Sequence, residues 1–122
     1  MKTTVSLKGN RSFRRAYAKG KSFAAPVVVI YCRKNGSSEN RLGITVGSKI
    51  GKAVCRNRIR RRLREIYRLG EDRFRTGWDI VVVARSRARD VSYQEIEADF
   101  FRAAGKLGLA SHITEPTTLN DK

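Results

Sequence analysis

The stretch WDIVVVA, residues 78–84, is apolar at every position except Asp79. Side chains of a strand alternate between its two faces, so a strand of this composition has to be covered on both. Two later segments carry the period of covering helices. In one, which begins near Lys52 and can stop at Gly70, Cys55, Ile59, Leu63 and Ile66 recur at intervals of four, four and three. In the other, Ser92 and Glu95 fit a capping box, and Tyr93, Ile96, Phe100, Ala104 and Leu107 form the apolar stripe. Glu95, Glu97 and Asp99 are expected on its exposed side, with Arg102 able to pair with Asp99.

Upstream, GNRSFRRAYAKG (residues 9–20) reads as a short helix. Asn10 is expected to cap its start and Gly20 to end it in the left-handed conformation. Phe13, Ala16 and Tyr17 share a face, flanked by Arg14, Arg15 and Lys19. APVVVIYCRK follows as a strand, with Val27, Val29, Tyr31 and Arg33 pointing one way and Val28, Ile30 and Cys32 the other. NGSSEN is a loop, and LGITV (residues 42–46) is expected to pair with the preceding strand as a hairpin. The elements make one α+β domain over residues 1–110, a sandwich of helices on a mixed sheet. Residues 111–122 show neither period nor core residues and are expected to be a disordered tail.

The charge selects the partner. The 122 residues hold 27 Lys and Arg against 11 Asp and Glu, a net +16. Such self-repulsion costs stability but raises association rate and affinity for nucleic acid. KAVCRNRIRRRLRE, residues 52–65, concentrates it: the apolar stripe fixes one side of the helix, and guanidinium groups suited to bidentate phosphate contact crowd the rest. No apolar run approaches the roughly 20 residues of a membrane span, so no membrane is expected. Phe13, Tyr17 and Tyr31, with Arg14 and Arg33 beside them, could form an aromatic floor rimmed by cations, suited to unpaired bases.

Catalytic chemistry finds no support in the residues. GSKIGK has three residues between Gly47 and Gly51 and Ala53 after Lys52, which breaks the phosphate-loop pattern. Lys49 and Lys52 can still add charge beside a helix N-terminus. Cys32, Cys55 and the single histidine, His112, are too few for a zinc site, and the cysteines fit buried, reduced thiols of a cytoplasmic protein.

KIGKAVCRNRIRRRLRE resembles the Arg-Asn-Arg signature of the bacterial ribonuclease P protein family. SFRRAYAKGKSF resembles the family's first helix, VVVIYCR its first core strand and WDIVVVAR its late strand, so the likeness covers about residues 8–107. It implies the small subunit of a ribonucleoprotein that removes the 5′ leader of precursor tRNA, in which the RNA subunit is the catalyst and mainly holds the Mg2+. No further protein partner is expected. Carried over, Arg56, Asn57 and Arg58 face the catalytic RNA, together with Lys49, Lys52, Arg60, Arg61 and Arg64. Phe13, Tyr17 and Tyr31 match the cleft that grips the leader, with Arg14 and Arg33 alongside. The general rule for a crossover between parallel strands is a right hand. The resemblance instead implies the left-handed crossover seen in domain IV of elongation factor G. The chain departs from the family at Gly47, Ser48 and Lys49, where many members read Ser-Lys-Lys, at Lys52, where Asn is common, and at Arg60, where Lys is. Those changes leave open which lysine meets RNA just before the helix. The composition alone also fits a basic ribosomal or RNA-chaperone protein.

Overall fold

The computed structural model describes residues 4–110. The tail expected after Ala110, and His112 with it, lies outside them. The chain runs through β1 (Thr4–Ser6), α1 (Asn10–Lys19), β2 (Lys21–Ala24), β3 (Val28–Lys34), β4 (Asn40–Thr45), α2 (Ala53–Gly70), β5 (Trp78–Ala84) and α3 (Tyr93–Lys106), with short 3-10 turns at Ser48–Ile50, Glu71–Arg73 and Ser86–Arg89. It is the α+β arrangement expected: three helices on a mixed five-stranded sheet, ordered β1-β4-β5-β3-β2.

β5 lies in the middle, parallel to β4 and antiparallel to β3. Here the hairpin expectation fails, because β3 and β4 are not neighbours. The doubly apolar strand takes the place between them, where both faces and both edges are covered, and residues 35–39 bridge over its start. Asn35 holds that bridge: its backbone N–H donates to Gly77 O at 2.9 Å and its side-chain amide donates to Asp79 at 3.1 Å. α2 connects β4 to β5 as the crossover of a parallel pair. Two strands had no sequence signal. β1 has three residues, and β2 is largely exposed, as edge strands commonly are.

The alternation of β3 and β5 divides the core. Val28, Ile30, Cys32, Ile80 and Val82 face α2 and α3, where Ile59, Leu63, Ile66, Ile96 and Phe100 are buried against them. Cys55 is only half-buried at the start of that stripe. Val81, on the other sheet face, packs under α1 with Leu7 and Ala16, bordered by Phe13, Tyr31 and Val83. Tyr67 completes the α2 stripe. It is fully buried, and its hydroxyl lies 2.7 Å from that of Thr4 and 3.3 Å from the Asn40 amide that donates to it. Burial pushes the Tyr67 phenol up from its ordinary pKa, and it does the same to the Cys32 thiol.

Three local expectations need correcting. Gly9, not Asn10, occupies the cap position of α1, and no side chain caps it. Gly20 is extended (φ −88°, ψ 174°) rather than left-handed. What it needs is close approach, since a Cβ there would stand 2.6 Å from the Ala16 carbonyl oxygen and against that of Cys32. Asp99 is buried, not on a solvated face. One carboxylate oxygen accepts from the backbone N–H groups of Val27 (2.7 Å) and Val28 (3.2 Å), and the other accepts from Arg102 (2.9 Å). The capping box of α3 is present as expected, with Ser92 Oγ accepting from Glu95 N at 3.1 Å.

Candidate nucleic-acid interface

With Ile59, Leu63, Ile66 and Tyr67 buried, α2 has no freedom to rotate, and its cations project in fixed directions. Asn57, Arg58, Arg61 and Arg64 are exposed, whereas Arg56, Arg60 and Arg62 are half-buried. Lys49, in the 3-10 turn, and Lys52, at the helix cap, are exposed just ahead of them. Glu65, the helix's single acid, is satisfied by Arg68 through bonds of 2.9 and 2.7 Å, which hold its carboxyl below the usual range. The other arginines of α2 form no ion pair among the described residues. Arg56 Nε is buried without a hydrogen-bond partner, and Asn57 Oδ1 accepts from Arg60 at 2.9 Å, which steers that guanidinium.

The helix has two working flanks. Arg60 and Arg64 join Leu7, Phe13 and Gly43 around an open groove of about 480 Å³ at the β1–β4 edge. On the other flank, Arg58, Arg61, Arg62 and Glu65 line a second groove, of about 420 Å³, whose far wall is Tyr93 of α3. Burial, and then Glu97 and Glu65, raise the Tyr93 phenol, so it stays a neutral hydroxyl at physiological pH.

The predicted aromatic cluster lies across the sheet from α2. Tyr17 meets Tyr31 edge-to-face, with ring centroids 4.8 Å apart at 88°. Tyr17 is 41% exposed, enough to offer its ring to a ligand. Phe13 is half-buried, its ring resting where a Cβ on Gly43 would come within 2.6 Å, so only glycine admits it. Arg14 is exposed on α1, and Arg33 is half-buried two residues along β3 from Tyr31. The structure therefore brings Phe13, Tyr17 and Tyr31 together on one face and the α2 cations on another, and the two surfaces adjoin at the groove shared by Phe13, Arg60 and Arg64.

Sequence reasoning passed over two features. The apolar period places Tyr93 in the stripe of α3 and says nothing of the groove it borders. The alternation Arg85, Arg87, Arg89 after β5 also went unread, although Arg85 and Arg87 border a further groove with Pro26 and Ser86, and Arg89 donates to Ile50 O at 3.0 Å and so braces the turn before α2. Among the described residues no three His, Cys, Asp or Glu side chains converge to hold a metal ion, and no helix is long and apolar enough to cross a membrane.

The sequence and the fold have relatives among known proteins. A family model for ribonuclease P matches residues 1–108. The ribonuclease P protein component of Alkaliphilus oremlandii is 42% identical over 109 residues, which span 89% of this chain and 96% of that one. The component of Clostridioides difficile is 44% identical over 95 residues, 77% of this chain and 83% of the relative. Among solved structures, the RNase P protein of Staphylococcus aureus superposes with a TM-score of 0.81 at 32% identity, covering 89% of this chain and 98% of that one. The RNase P protein of Thermotoga maritima gives 0.73 at 35%, covering 80% and 92%. Charge, fold and near full-length likeness agree that the chain belongs to the bacterial ribonuclease P protein components, the non-catalytic subunits that act with an RNA subunit to remove the 5′ leader of precursor tRNA.

Proposed function

We propose that this subunit divides its surface between two RNAs. Lys49, Lys52 and the α2 residues Arg56, Asn57, Arg58, Arg60, Arg61 and Arg64 bind the catalytic RNA. Phe13, Tyr17 and Tyr31, with Arg14 and Arg33, receive the single-stranded leader. The observation that carries this reading is the edge-to-face pair of exposed Tyr17 and half-buried Tyr31 on the sheet face opposite α2. A duplex offers phosphates to a rigid array of arginines, whereas an unpaired strand also offers base faces to aromatic rings. The groove shared by Phe13, Arg60 and Arg64 would bring the two RNAs side by side. Among the described residues no three acidic, His or Cys side chains meet to hold a metal ion. We therefore assign the Mg2+ of the reaction to the RNA subunit. The free thiols of Cys32 and Cys55 agree with a cytoplasmic site of action.

The test is Tyr31→Ala in the assembled holoenzyme. Loss of one stacking partner is worth about 1–3 kcal/mol, so precursor tRNA should bind roughly five- to 150-fold more weakly. Mature tRNA, and precursors trimmed to a single leader nucleotide, should bind the variant as they bind the parent. If a folded variant loses mature and precursor tRNA equally, Tyr31 does not read the leader.

A further inference from the structure

The groove on the α3 flank of α2 is separate from the aromatic cluster and from the Arg60–Arg64 flank. Its chemistry is that of a nucleotide site. Three arginines with no ion-pair partner among the described residues, Arg58, Arg61 and Arg62, face a half-buried aromatic ring across about 420 Å³, within the usual range of about 300–1,000 Å³ for small-ligand sites. The one acid in the wall, Glu65, has its charge engaged by Arg68. An anion entering the groove thus meets net positive charge. Tyr93 occupies the first position of α3, behind a capping box that fixes the helix start, and its half-buried side chain packs against the core.

We infer that this groove holds an unpaired nucleotide of the RNA subunit, with its base against the ring of Tyr93 and its flanking phosphates on Arg58, Arg61 and Arg62. The inference rests on the reading of α2 as the surface for the catalytic RNA and extends it to α3. The RNA subunit is the occupant rather than the leader because the groove opens on the helical layer, across the sheet from Tyr17 and Tyr31. Base faces stack without sequence demands, and arginine adds both charge and planar contact, so the pairing of ring and guanidinium suits a flipped or looped-out residue.

Two measurements on the full chain test it. In the first, Tyr93→Ala and Tyr93→Phe are titrated against the RNA subunit. Removing the ring should weaken assembly by about five- to 150-fold, while the phenylalanine variant should assemble as the parent does. Once saturated with RNA, both variants should bind precursor tRNA normally. In the second, hydroxyl-radical oxidation of the unmodified protein is read at each tyrosine, which needs no variant to fold. Tyr93 should become protected when the RNA subunit binds, and Tyr17 only when precursor tRNA is added. The inference is overturned if Tyr93 stays as reactive in the particle as in the free protein, if its protection awaits the precursor, or if a folded Tyr93→Ala variant assembles like the parent. A protected Tyr93 alongside a folded Tyr31→Ala variant that loses mature and precursor tRNA equally would sink the leader reading alone.

Discussion

Asp99 does the work of several residues. Its carboxylate stands at the start of β3 and accepts from Val27 N and Val28 N while Arg102 balances its charge. Truncation would orphan two buried N–H groups, each costing about 1–3 kcal/mol. Asp99→Ala should therefore lower the melting temperature by roughly 10 °C or more, since about 1 kcal/mol shifts a domain of this size by about 4–8 °C. Asp99→Asn keeps one acceptor for those amides and should fall between the variant and the parent. If calorimetry finds the alanine variant as stable as the parent, the α3-to-β3 tie is not a structural anchor. This residue was misread from sequence for a physical reason. An acid three positions before an arginine looks the same on a solvated helix face as on one turned toward unsatisfied amides. Only the position of Val27 and Val28, some 70 residues away in the chain, separates the two. Tyr93 was half legible in the same way: its place in the stripe was visible, but its exposure to a groove was not.

At the scale of elements, α2 and α3 were legible because a long amphipathic period is a local signal, and Ile59, Leu63, Ile66, Ile96, Phe100 and Ala104 are buried where that period puts them. Strand pairing is not local. The apolar character of β5 marked it as covered on both faces, yet nothing within β3 or β4 says that a third strand separates them. The short polar edges β1 and β2 bury too little to leave a pattern. The hand of the crossover came from resemblance to a family, not from the residues. The rigid stripe of α2 also makes a sharp expectation about charge. Each arginine that neutralises a phosphate of structured RNA should release about one counterion, by analogy with a slope of about −0.9 per contact on duplex DNA. Replacing Arg56, Arg58 and Arg61 by Ala should flatten the salt dependence of RNA-subunit binding by roughly two to three units. Asn57→Ala should leave the slope nearly unchanged, although it releases Arg60 from the 2.9 Å bond that steers it. A triple variant with the parent's slope would mean that these side chains do not reach phosphates.

For the whole molecule, the charge and the buried titratable groups act together at high pH. Cys32 and Tyr67 both have folded pKa values raised by burial. A group raised on folding contributes stability that is fully present below its unfolded pKa and is lost as pH climbs through its folded value. With unfolded values of about 8.5 for a thiol and about 10 for a phenol, the melting temperature should hold to about pH 8 and then decline. Relief of self-repulsion sets in only above about pH 10, where the lysines begin to lose charge, while the 18 arginines among the 27 cations keep theirs. Thermal scans across the alkaline range check this, and a flat melting temperature up to about pH 11 would contradict it.

The central strand is also the last to be synthesised. Until residue 84 leaves the ribosome, β2 with β3 and β1 with β4 are two separate ribbons with a gap one strand wide between them. Two-stranded ribbons are marginal by themselves in water. The nascent chain therefore reaches most of its length, with its arginine-rich helix already emerged, before a sheet exists to shield the apolar stripe of that helix. The contacts that close the gap are long-range, which slows folding and prolongs that exposed interval. A polycation in this state, born beside ribosomal RNA, has to be outcompeted for by its own fold.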